Sequence, residues 1–419
     1  MTPFRFVHTA DLHLDSPFRG LSEVAADLQG IMREATFLAF ERIVDLCLTR
    51  KADALLIAGD LHDAADRSLR SLARMRVQFQ RLAEHDIGVF MCHGNHDPLS
   101  GWEARFTWPD NVRVFGTEAV ESKPLLKAGV EIARVYGVSY GTERVTDNLA
   151  SWFKKEADAP WSIGLLHTNV GNDQNHLNYA PCEIQDLKDA GMDYWALGHI
   201  HAHRVVHEAG PTIVYPGNPQ GRNPRESGPR GCYVVEVDNQ GRLQGEFVPV
   251  DLVRWHHESV SIEGITHLDG LLSRLEDRIE ELRREAVARG AIVRWSLTGR
   301  GVLHRELARP GRAEDLLATL RERCGTGPGF VWSESVQDFT GRELDLGALR
   351  AEENLVGDFL RLAGQVDATL VDELEDALKI LLGDPRVRRH LHPPDQARWH
   401  QWVQEAEQQG IDRLIREDD

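Results

Sequence analysis

The chain of 419 residues is 42% hydrophobic and 27% charged, an ordinary balance for a folded globular protein and enough for two or three domains. Its formal net charge of −18 excludes a general nucleic-acid coat, which sets Lys and Arg against phosphate, but leaves room for a local basic patch or for metal ions that bring their own charge. No apolar run is long enough to span a bilayer, MTPFRFVHTADLHLD lacks a signal-peptide profile, and the five cysteines are scattered with no CxxC pair, as expected of small thiols in a reducing, cytoplasmic compartment.

To about residue 250, apolar runs alternate with amphipathic stretches. FRFVHTA, ADALLIAGD, IGVFMCHG, ARVYGVSY, SIGLLHT and DYWALGH have strand composition, and several end in His, Asp or Gly. Helical patterns fill 31–50 and 67–84. Strand–helix alternation predicts an α/β domain with ligands gathered where loops leave the strand ends. TIVYPG, GCYVVEV and GEFVPV add strands at its end. A small α+β unit is expected over 251–340: RWHHESVSI and AIVRWSL flank a helix that places Leu268, Leu271, Leu272, Leu275, Ile279 and Leu282 on one face. A helix near 313–323 and a strand in GFVWSESV complete it. Residues 341–419 are helical in pattern, with Leu355, Phe359, Leu370, Leu374, Leu378 and Leu381 in apolar stripes. PPD at 393–395 starts a final helix that carries Trp399 and Trp402.

Five polar clusters follow the apolar runs of the first domain. They are Asp11 and His13; Gly59 and Asp60, with Asp63 near; Gly94, Asn95, His96 and Asp97; His167; and Gly198, His199 and His201. Singly each is a common turn or a hydrogen-bonded core group. Together they match what a two-metal phosphoester site needs. Two divalent cations roughly 3.5 to 4 Å apart need an anionic bridge against their repulsion. Neutral imidazoles suit transition metals at the outer positions better than they suit Mg²⁺ or Ca²⁺. On an extended D-x-H or H-x-H segment both side chains share a face, and the glycines permit tight turns.

D-x-H, G-D, G-N-H-D, H and G-H-x-H in this order resemble the calcineurin-like metallophosphoesterases. FVHTADLHLDSPF, HGNHDP, LLHTN, LGHIHAH and YPGNPQGRNPRE are similar to the DNA repair exonucleases of the SbcD type, most closely the YhaO-like branch. The resemblance implies a four-layer αββα sandwich over 1–250, an α+β capping domain over 251–340 and a helical C-terminal region over 341–419. It implies a metal-dependent phosphodiesterase or exonuclease acting on DNA, with two divalent metal ions, Mn²⁺ first among them. Asp11, His13 and His201 would hold one ion and Asn95, His167 and His199 the other, with Asp60 bridging. His96 would be the general acid and Asp97 its orienting carboxylate. The C-terminal helices would dock on an SbcC-type ATPase subunit, and a homodimer stays open.

Arg222, Arg225 and Arg230, in the loop GRNPRESGPR, are candidates for substrate phosphates. A solvated loop is the competing reading. Asp15, Asp63 and His203 flank the ligands and are expected to support them. His8, His62, His93, His176 and His207 are expected to be structural, and Trp102, Trp108, Trp161 and Trp195 to be core. Two other functions fit the same residues: a phosphatase or phosphodiesterase for small phosphoesters, and a non-catalytic DNA-end or partner-binding subunit.

Overall fold

The computed structural model describes residues 1–19, 26–63, 69–99, 106–171, 178–286, 289–322, 329–364, 376–378, 402, 406–407, 410–411 and 413–415. Leu370, Leu374, Leu381, the PPD segment, Trp399, Trp102, Cys324 and His176 lie outside the described residues. The chain divides into two compact units. One is Met1–His256 with Ala288–Ala291 and Thr326–Pro328, and the other is His257–Val287, Ile292–Gly325 and Gly329–Asp419.

The first unit is built on two six-stranded sheets. The first sheet runs β12-β11-β1-β2-β3-β4, from β1 (Phe4–Thr9), β2 (Ala54–Ala58), β3 (Gly88–Cys92), β4 (Val112–Val114), β11 (Gly231–Val237) and β12 (Leu243–Pro249). The second runs β5-β6-β7-β8-β10-β9, from β5 (Glu121–Lys127), β6 (Val130–Gly137), β7 (Ser162–His167), β8 (Tyr194–Gly198), β9 (Arg204–His207) and β10 (Thr212–Tyr215). Strands β1 to β4 pair in parallel, as do β6, β7, β8 and β10. The C-terminal ends within each set therefore lie along one edge, which is where the polar clusters fall.

The period-two alternation sorts each strand's side chains between two cores. Phe6, Leu56 and Phe90 of the first sheet pack with Val135, Ile163, Leu165 and Tyr194 of the second. Val7, Leu55, Ile57 and Val89 point the other way, onto Phe37, Phe40, Val44 and Phe79 of helices α1 (Ala26–Arg50) and α2 (Leu69–Ala83). Tyr136, Leu166, Trp195 and Leu197 meet Leu149, Phe153 and Leu187, the last on helix α3 (Ile184–Asp189). The layers are helix, sheet, sheet, helix. Strand β2, ALLIA, is buried at every position because it is covered on both faces. Trp161 and Trp195 are core residues, and the four described cysteines are buried free thiols.

Later in the chain comes a three-stranded sheet in the order β13-β14-β15, from β13 (Val253–Ser261), β14 (Gly290–Thr298) and β15 (Val331–Asp338). Helix α4 (Leu268–Ala286) buries Leu271, Leu275, Ile279 and Leu282, four of its six predicted apolar positions. Helices α5 (His304–Leu307), α6 (Arg312–Glu322), α7 (Leu346–Ala351) and α8 (Leu355–Ala363) follow. Among the described residues no helix is long and apolar enough to cross a membrane.

Candidate metal centre

The strand ladder continues past the strand ends. The amides of Asp11, His13 and Leu14 donate to the carbonyls of Gly59, Asp60 and Leu61 at 3.1, 3.0 and 2.9 Å. The D-x-H segment is nevertheless not extended, which corrects the expectation from pleating. Asp11, His13, Asp60 and His199 have φ of 52, 42, 53 and 101°, a region side-chain-bearing residues rarely adopt and one that concentrates at functional sites. Left-handed turns, not the pleat, aim these groups. A Cβ on Gly59 would lie 2.5 Å from His167 Nδ1, and one on Gly94 would lie 2.3 Å from Asp60 Oδ1. Glycine at both positions makes room for the ligands.

Three histidines share one hydrogen-bonding arrangement. Nδ1 of His13 meets Asp63 at 2.6 Å, Nδ1 of His201 meets Glu226 at 2.8 Å, and Nδ1 of His167 meets the Ala58 carbonyl at 2.9 Å. Each partner accepts, so each Nδ1 carries the proton and each neutral Nε2 presents a lone pair. Those lone pairs face other acceptors. His13 Nε2 and His201 Nε2 are 3.2 Å apart, and His167 Nε2 is 3.0 Å from Asn95 Oδ1. Asp60 Oδ2 lies 3.8 Å from His13 Nε2 and 3.5 Å from His167 Nε2, between the two groups. Acceptors aimed at acceptors repel unless a cation joins them, and this donor set fits divalent metal ions. A proton is the other cation available. Burial opposes charge on His201, but Glu226 and Asp11 overcome it and raise its pKa. Burial and Arg222 lower that of His13 to about 4.

Among the described residues, candidate ligand atoms lie within 4.8 Å of one another in three groups: Asp11, His13 and His201; Asp11, Asp60 and His167; and His13, Asp63 and His96. His199 is beside them and outside the groups. Its amide donates to both Asp11 oxygens at 3.0 and 3.2 Å, and its ring stands edge-on to His167 at 5.2 Å. Asp11 is fully buried, and burial raises its pKa against the pull of His201 and His167.

The structure corrects the partner of His96. Asp97 turns away from it. Its carboxylate accepts from the amides of Gly94, Leu61 and Asp60 at 2.7, 2.9 and 3.1 Å and faces His93 Nδ1 at 3.2 Å. His93 thereby gains a role in holding the GNHD turn. Asp63 is the carboxylate on His96, with Oδ1 at 3.0 Å from His96 Nδ1. The same carboxylate takes His13, Ser16 Oγ at 2.8 Å and an Arg222 nitrogen at 3.3 Å. Burial opposes ionisation of Asp63, yet its hydrogen bonds with His13 and His96 hold its pKa far below the usual carboxylate range. Nearby atoms oppose charge on His96, but Asp63 and Asp60 raise its pKa to about 9. Glu226, which holds His201, carried no sequence signal beyond being the lone acid in an arginine-rich loop.

The arginine loop is also corrected. Arg222 is 8% exposed and pairs with Asp63. Arg230 is 8% exposed, and its guanidinium is held by the His201 carbonyl, Asn218 Oδ1 and the Ser227 carbonyl. Both brace the site instead of facing substrate. Arg225 alone of the three is exposed. His203 stacks on Phe247 and Tyr233 at 4.5 and 5.4 Å, and Asp15 pairs with Arg70. His8 bonds Tyr194 and the Leu197 carbonyl, and His207 bonds the Pro211 carbonyl, both structural positions.

Comparison with known proteins agrees with this geometry. The family model described as calcineurin-like phosphoesterase matches residues 4–203, and the middle domain of metallophosphoesterase YhaO matches residues 255–341. An uncharacterized metallophosphoesterase YhaO of Bacillus subtilis is 34% identical over 93% of each chain. The DNA double-strand break repair protein Mre11 of Methanopyrus kandleri is 26% identical over 93% of this chain and 84% of its own. The Mre11 of Aeropyrum pernix is 29% identical over 51% of this chain and 53% of its own.

Proposed function

The chain belongs to the YhaO-like calcineurin-like metallophosphoesterases, and from that premise we propose that it is a two-metal phosphodiesterase acting on DNA, an exonuclease of DNA repair. The observation that carries the reading is the set of histidine nitrogens and acceptors facing one another around Asp60. Asp11, His13 and His201 would hold one ion, and Asn95, His167 and His199 the other, with Asp60 common to both. Bound Mn²⁺ ions would neutralise phosphate charge and lower the pKa of water. The remaining chemistry belongs to the side chains. Asp63 fixes the proton on His96 Nδ1, so Nε2 of the protonated ring is the donor to the leaving oxygen. Asp63 and Glu226 hold His13 and His201 in the tautomer whose Nε2 lone pair points inward. Relatives named for double-strand break repair support the DNA substrate. The helices after 341 would meet an SbcC-type ATPase partner.

The test is hydrolysis of end-labelled linear duplex DNA and of bis-p-nitrophenyl phosphate, each with Mn²⁺ and with chelator. Mn²⁺-dependent shortening of DNA, absent in Asp60→Ala and His96→Ala, is the expected result. Turnover of the small ester beside intact DNA would replace this reading with the small-phosphoester one, which the net charge of −18 favours.

A further inference from the structure

We propose that Arg19 and Arg225 form a clamp for a backbone phosphate neighbouring the one being cleaved, so that the site prefers a polynucleotide to an isolated phosphodiester. The inference rests on the DNA reading above. It starts from a charge problem. The centre is lined by Asp11, Asp60, Asp63 and Glu226, all buried, in a chain of net charge −18. Metal ions offset one phosphate. The next phosphates of a strand meet the protein outside the ions, where repulsion is uncompensated unless side-chain cations stand at the rim.

Four arginines lie on the two loops beside the His13 and His201 side of the centre, and the structure divides them. Arg222 and Arg230 are buried and consumed by Asp63 and by loop carbonyls. Arg19 and Arg225 are exposed, and neither guanidinium has a carboxylate or carbonyl partner among the described residues. Arg70, Arg74 and Arg134 are tied to carboxylates; what sets Arg19 and Arg225 apart is that both are unpaired among the described residues and both lie on the loops that carry the His13 and His201 side of the centre.

Their backbones are nonetheless held. The amide of Arg19 donates to the Arg222 carbonyl at 2.8 Å, and the amide of Arg225 donates to Asn223 Oδ1 at 3.0 Å. The amide of Arg222 donates to Glu226 at 2.6 Å, and Glu226 holds His201. The Arg19 backbone is therefore three hydrogen bonds from His201, a candidate ligand, through Arg222 and Glu226, and Arg225 directly precedes Glu226 in the chain. A guanidinium fork matches phosphate oxygens in geometry as well as charge.

The experiment compares the wild type with Arg19→Ala/Arg225→Ala and Arg19→Glu/Arg225→Glu, all loaded with Mn²⁺. The readouts are kcat/KM on an eight-nucleotide thymidine strand and on bis-p-nitrophenyl phosphate. Binding of the labelled strand is measured against salt in the His96→Ala background. The ratio of the two kcat/KM values should fall about tenfold in the alanine pair and further in the glutamate pair. The salt slope of binding should flatten by about 0.7 per arginine removed. An equal fall on both substrates, or an unchanged ratio and slope in variants that still degrade the strand, overturns the clamp and leaves the DNA reading standing. A wild type that cleaves the small ester and neither binds nor cleaves the strand overturns the DNA reading, and the clamp with it.

Discussion

The two ends of the sheets in the first unit are both charged, and they handle charge in opposite ways. At the end where β1 and β2 begin, Arg5 pairs with Glu236, Lys127 with Asp53 and Arg242 with Asp238, at 2.7, 3.0 and 2.9 Å and with solvent access. Each of these three cations has its anion. At the end where β1, β2, β3, β7 and β8 finish, the carboxylates and most of the imidazoles are buried, and lone pairs face lone pairs at 3.0 to 3.2 Å. Charge at a strand end is therefore no sign of a site. Buried acceptors short of a cation are.

The strongest way to break that comparison is Asp60→Asn. The change is isosteric and removes the anion between the two histidine groups, so hydrolysis should drop to background and bound metal should be lost. Activity assays with metal analysis by mass spectrometry check both. Next is His96→Ala, which should cost roughly 10² to 10⁴ in kcat with metal content retained. A parallel loss of metal would make His96 a ligand instead of an acid. Asp63→Asn and Glu226→Gln should each cost about 10- to 100-fold in metal affinity or rate, read by metal titration and kinetics.

Asp63→Asn carries a further signature in pH. Asp63 raises the pKa of His96, and His96 acts as an acid only when protonated. Removing Asp63 lowers that pKa, so the alkaline limb of the kcat profile should move to lower pH. A limb that stays put would separate Asp63 from the acid. The smallest effect is at the other end. Glu236→Gln breaks a half-exposed pair, and should change stability by about 0.5 kcal/mol in a denaturant titration, with wild-type hydrolysis.

Much of this was legible in the sequence because the candidate ligands are local. D-x-H, GNHD and GHxH each sit at the end of an apolar run, and the parallel pairing of those runs brings them to one edge. What failed was non-local. Asp97 is the nearest acid to His96 in the chain, but the turn folds it back on its own amides and on His93. The acid that reaches His96 is Asp63, 33 positions earlier in sequence, from the loop after β2. Glu226 reaches His201 from a glycine- and proline-rich loop with no periodicity to place it. Composition left the same loop between phosphate binding and solvation, yet Arg222 and Arg230 are drawn inward by Asp63 and by the carbonyls of His201 and Ser227. The positive φ of Asp11, His13, Asp60 and His199 is only weakly signalled by residue type, since glycine is what such a backbone most often selects and Asp and His follow it.

The most direct measurement is a Mn²⁺ titration of chelator-stripped protein by calorimetry, with the ion count checked by mass spectrometry. The account predicts two ions per chain in the wild type and a loss of that stoichiometry in Asp60→Asn. Fewer than two ions in the wild type, or two retained without the Asp60 carboxylate, would contradict the claim that these facing acceptors are a two-cation centre bridged by Asp60.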